Sequence, residues 1–66
     1  MTTGTITKVV AERGFAFARD ETGNDYFVHA SDLQMDFEDL SEGDRVTFES
    51  VRSPRGLKAT KVRPAL

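Results

Sequence analysis

The chain has no cysteine, a single histidine and no run of eighteen or more apolar residues. Without cysteine there is neither a disulfide framework nor a thiolate zinc site to support the fold, which suits a reducing compartment. Without a long apolar run there is no membrane-spanning helix, and the opening MTTGTITK lacks the apolar region of a signal peptide. The expectation is a soluble, cytoplasmic protein with no membrane partner. His29 has no cysteine or second histidine to share a metal with, and it lies on a predicted strand, so no carboxylate shares a helix with it at i, i+4 spacing to make it a general base. The acidic run Asp32–Asp44 lacks the D-x-[DN]-x-[DN]-G spacing of a calcium loop. No Ser/His/Asp set, phosphate-cradling glycine loop or nucleotide fingerprint is present. No enzymatic activity, cofactor or metal is therefore expected.

Basic residues are also missing from one place in particular. Between Asp20 and Asp44 there are nine acidic side chains and no Lys or Arg; all nine basic residues lie outside, accompanied only by Glu12 and Glu49. The formal net charge of −2 thus conceals basic ends and an acidic middle. A fold that groups the ends presents a basic patch despite the acidic total. A mixed, solvated surface is the alternative that charge alone leaves open.

Sixty-six residues make one domain, spanning 1–66, and a chain of this size buries only about 60% of the surface it exposes when unfolded. Short β-branched or alternating runs are separated by turn formers. Thr5–Val10, Gly14–Arg19, Asp25–Ala30, Arg45–Val51 and Leu57–Arg63 read as five strands. DETGND forms the turn between the second and third, and Ser31-Asp32 caps a single helical turn through Gln34. The acidic stretch MDFEDLSEGD reads as loop. An all-β fold follows: a small five-stranded antiparallel barrel, partly open, with one short helical turn. An SH3-like barrel is the rival topology.

The faces of the strands carry the functional signal. In ERGFAFARDE, Arg13, Phe15, Phe17 and Arg19 share one parity, opposite Gly14, Ala16 and Ala18. In DYFVHA, Asp25, Phe27 and His29 share a face, opposite Tyr26, Val28 and Ala30. Burying either aromatic face would draw a charge toward the interior, where an unpaired charge is costly. A core reading survives only if bends at the strand ends change the parity. The same pattern on both strands favours an exposed platform of Phe15, Phe17, Phe27 and His29, with Tyr26 inward near the rim. Rings beside cations suit single-stranded nucleic acid. Every base has a π-face to stack, at about 1–3 kcal/mol per base, and cations track the phosphates. Duplexes hide their base faces.

These residues resemble the bacterial cold-shock protein family. RGFAFA is similar to its first ribonucleoprotein motif, usually close to KGFGFI, and DYFVHA to its second, usually close to VFVHF. Gly4, SDLQ and LSEGDRVTFE also match, so the resemblance covers essentially the whole chain. It implies an OB-type barrel that binds single-stranded RNA and DNA and acts as an RNA chaperone; nothing in the sequence suggests more than a monomer. Carried over by position, Phe15, Phe17, Phe27 and His29 fall on base-stacking positions, and Phe37 on a further one. Arg13 falls where the family places a phosphate-edge lysine, Arg55 on an arginine before the last strand, and Asp25 on a base-contacting polar group.

Four positions depart from the family pattern. Lys8 stands in place of tryptophan, Val9 and Ala30 in place of phenylalanines, and Thr7 in place of a common lysine. The loss of three rings implies weaker, shorter-footprint and more salt-sensitive binding, partly offset if Lys8 reaches a phosphate. The competing function is an OB-type protein-interaction module that has largely lost nucleic-acid binding.

Overall fold

The computed structural model describes residues 1–65. The β-branched N-terminal run starts earlier than alternation predicts. β1 spans Thr2–Val10, followed by β2 (Phe15–Asp20), β3 (Asp25–His29), β4 (Arg45–Ser53) and β5 (Gly56–Pro64). The added residues matter to the architecture. Thr2–Thr5 pair antiparallel with Arg45–Phe48, and this seam closes the barrel in the order β1-β2-β3-β5-β4. The barrel is therefore closed and not partly open, which leaves no free sheet edge. β3 and β5 meet in a short parallel seam, Phe27 with Lys58 and Val28 with Ala59, while the other seams are antiparallel. The parallel seam is extended by the bridge Leu33–Val62 and by Gln34 N–H donating to the Val62 carbonyl at 2.7 Å.

The interior is built from Ile6, Ala16, Ala18, Tyr26, Val28, Leu40, Val46, Phe48, Ala59 and Val62. Small residues on β2 leave the narrow interior to two rings: Tyr26 and Phe48 stack tilted at 4.9 Å. Fully burying a side chain the size of Phe48 stabilises by about 1.5–3 kcal/mol. Gly4 is small for the same reason. A Cβ there would stand 2.8 Å from the Arg19 carbonyl and 3.1 Å from the Phe48 ring.

Three short 3-10 turns complete the chain, at Ala11–Arg13, Ala30–Asp32 and Phe37–Asp39. The turn after β3 begins one residue before the predicted cap. His29 Nδ1, not Ser31, is the cap acceptor, taking the Ser31 N–H at 3.1 Å. The acidic stretch is more than solvated loop, since Leu40 is buried and Met35 and Phe37 pack on the core.

Candidate nucleic-acid interface

Strand register assembles the outer face of the barrel into rows. Phe15 pairs with His29, Phe17 with Phe27 and Arg19 with Asp25 across β2 and β3. Phe15, Phe17 and Phe27 form one cluster, with ring centroids 5.4–6.0 Å apart, and His29 lies 6.3 Å from Phe27. Their strand partners alternate inward, so Ala16, Ala18, Tyr26 and Val28 are buried while Phe27 remains 36% exposed. The expected outward orientation holds for both strands, with Phe27 and His29 exposed and Phe15 and Phe17 half-buried, and Tyr26 points inward as predicted.

A bulge in β1 decides which N-terminal residues join this face. The register shifts between Ile6 and Lys8: Ile6 pairs with buried Ala18, Lys8 with Phe17, and Val9 with buried Ala16. The extra residue at Thr7 resets the alternation. Lys8 therefore stands outward beside Phe17, and Val9 packs against the core. The expectation that Val9 represents a lost platform ring is corrected, because its side chain is on the inner side. Ala30 is likewise off the sheet, half-buried in the turn after β3. Of the three departures counted as lost rings, Lys8 is the one in the aromatic row itself.

The remaining predicted residues divide between this face and its surroundings. Arg55, in the β4–β5 turn, lines a groove together with Phe17, Phe27, Leu57 and Lys58. Arg13 is exposed and ends the turn before Gly14, whose φ of 71° in the left-handed region swings the chain directly into Phe15. Asp25 sits one row beyond Phe27, where its Oδ1 accepts from Arg19 Nε at 2.9 Å. Its carboxylate is thus already engaged by a cation. Phe37 is not brought into the cluster; it is half-buried against the core in its own turn.

Lys58 joins this face although the sequence did not single it out. It pairs with Phe27 across the parallel seam, so the row runs Lys8, Phe17, Phe27, Lys58 across four strands. The alternation in LKATKVR places Lys58 and Thr60 opposite Leu57 and Ala59, but only the parallel pairing shows which strand Lys58 adjoins. Among the described residues Lys8, Arg13 and Arg55 take part in no ion pair, whereas Lys58 pairs with Asp32 at 3.3 Å.

The tautomer of the platform histidine is set by its neighbours. Nδ1 accepts the Ser31 N–H and lies 2.8 Å from Ser31 Oγ. In the neutral ring the proton therefore sits on Nε2, which is left as a donor beside Phe27. Chemically, the face offers three rings for base stacking, one imidazole donor and unpaired cations on its margins. No group of three or more His, Cys, Asp or Glu that could hold a metal occurs among the described residues. No described helix is long and apolar enough to cross a membrane.

The same residues sit in a chain with close relatives. The profile of the 'Cold-shock' DNA-binding domain family matches residues 2–65. The chain is 43% identical over 65 residues to cold shock protein 2 of Lactiplantibacillus plantarum, covering 97% of this chain and 98% of the relative. It is 42% identical over 66 residues to cold shock protein CspC of Bacillus subtilis, covering 98% and 100%. It is 45% identical over 65 residues to the cold shock-like protein CspA of Stigmatella aurantiaca, covering 96% of each. A barrel with two ribonucleoprotein-like strands side by side, matched over its full length by such relatives, belongs to the cold-shock domain family.

Proposed function

We propose that this chain binds single-stranded RNA and DNA through the Phe15–Phe17–Phe27–His29 face and works as an RNA chaperone of the cold-shock type. The observation that carries this reading is the cluster of three rings, 5.4–6.0 Å apart, on the outside of a closed barrel. Stacking needs an unpaired base, so each protein bound stabilises the open strand against hairpins by mass action. Stacking is also indifferent to sequence, as a chaperone requires. Lys8, Arg13 and Arg55 supply the phosphate contacts, with Asp25 and Phe37 at the margins of the footprint. The protein acts as a cytoplasmic single-domain monomer without cofactor or catalytic chemistry.

The replacement of a ring by Lys8 narrows the platform. Binding is therefore weaker and more salt-dependent than a fully aromatic face would give, since each phosphate contact on a single strand contributes a slope of about −0.7 in log K against log salt. The test is anisotropy of a labelled oligothymidine heptamer with wild type, Phe17→Ala and Phe27→Ala. Each substitution lowers affinity by about 1–3 kcal/mol, roughly 5- to 150-fold. Equal affinities in all three proteins would contradict the reading and favour a protein-interaction role for the face.

A further inference from the structure

Lys58 differs from the other cations of the face in having a carboxylate of its own. Its side chain leaves the outer side of β5 in register with Phe27 and lines the groove that Phe17 and Arg55 also line. Its Nζ stands 3.3 Å from Asp32 Oδ2. Asp32 lies in the turn that follows β3, its side chain only 18% exposed. Its Oδ2 is buried and receives no hydrogen bond, so the Lys58 ammonium is the group facing that charge. Lys58 itself remains 40% exposed and within reach of solvent.

A carboxylate oxygen facing the ammonium of Lys58, which is in register with Phe27, presents that cation with the same kind of partner as a phosphate oxygen. Both are anionic acceptors, and an ammonium is a point charge that serves either one. We propose that Asp32 is a resident anion that competes with the phosphate of a bound strand for Lys58, and so holds affinity below what the face would otherwise reach. The proposal rests on the reading that this face carries nucleic acid. In the free protein Lys58 is neutralised by Asp32. On binding, the ammonium turns from the carboxylate to the phosphate, and the counterion released from the strand is balanced by one taken up at Asp32. Lys58 thus contributes little net salt dependence while Asp32 is present.

The test is a cycle of wild type, Asp32→Asn, Lys58→Gln and the double variant, each titrated with labelled oligothymidine heptamer from about 50 to 200 mM salt. Asp32→Asn is expected to bind more tightly than wild type and to steepen the salt slope by about 0.7, so that its advantage shrinks roughly two- to threefold across that range. In the Lys58→Gln background the same change is expected to have no effect on the slope. Asp32→Ser is measured alongside, with melting curves, in case the amide disturbs the turn. An equal gain from Asp32→Asn with and without Lys58 would overturn the proposal, because the effect would then be plain removal of a negative charge. No gain at all would overturn it too. Phe27→Ala separates the two levels. If it weakens binding while the cycle is flat, only the competition fails; if wild type and every variant leave the probe free, the interface reading fails with it.

Discussion

Lys8 stands directly across β1 and β2 from Phe17, in a row that continues through Phe27 to Lys58. A cation therefore occupies the end of the aromatic row, set there by the bulge at Thr7. Lys8→Trp adds a third ring to the row and removes one phosphate contact. Affinity for oligothymidine is expected to rise by about 1–3 kcal/mol, and the salt slope to fall by about 0.7. A tighter complex with an unchanged slope would show that Lys8 does not touch phosphate.

The turn between β2 and β3 is organised by one carboxylate. Asp20 accepts from the N–H groups of Thr22 and Asn24 at 2.9 Å, from the Thr22 hydroxyl at 2.8 Å and from the Tyr26 hydroxyl at 2.8 Å. Desolvation opposes its ionisation, but the hydrogen bonds from Asn24, Thr22 and Tyr26 outweigh it and hold the carboxyl well below the usual range. A lowered value in the folded state means stability that is present above the ordinary carboxylate pKa, about 4, and lost as pH falls below it. Asp20→Asn should destabilise at neutral pH, with the difference from wild type closing progressively below about pH 4 in denaturant titrations. A constant difference down to about pH 3 would contradict the account.

The same bond acts in the opposite direction on Tyr26. The hydrogen bond to Asp20, then desolvation and the nearby negative charge, push its phenol above the ordinary value. Stability from the neutral phenol is present below about pH 10 and lost as pH rises through the folded value. Tyr26→Phe should cost about 1–2 kcal/mol at neutral pH. Ultraviolet titration should find the wild-type phenol ionising later than a free tyrosine.

Lys61 lies in the left-handed region, with φ of 52°, where β5 bulges opposite β4. An L side chain there is strained, and asparagine tolerates the conformation better than lysine. The ion pair of Lys61 with Glu49, at 3.5 Å between largely exposed groups, offsets little of that strain. Lys61→Asn should stabilise by about 1 kcal/mol, raising Tm by roughly 4–8 °C. A lower Tm would contradict the assignment of strain.

What was legible in the sequence was what period-two alternation encodes. Phe15, Phe17, Phe27 and His29 share the outer face and Tyr26 turns inward because β2 and β3 run unbroken through those positions. Alternation failed where the period was interrupted. The bulge at Thr7 sends Val9 inward, and a single extra residue leaves no mark in composition. Closure by Thr2–Thr5 and the parallel seam at Lys58 depend on which strands meet, which is a non-local fact. The family resemblance placed Asp25 and Phe37 in the footprint, but their partners decided their state: Arg19 engages the first and the core half-buries the second.

Titration of isotope-labelled protein with short oligothymidine tests the central claim most directly. Amide shifts should concentrate at residues 8–17, 25–30 and 55–58, weaken as salt is added, and leave the far side of β4 and the Asp20 turn largely unmoved. No shifts at millimolar oligonucleotide, or shifts confined to other surfaces, would contradict the assignment of this face to single-stranded nucleic acid.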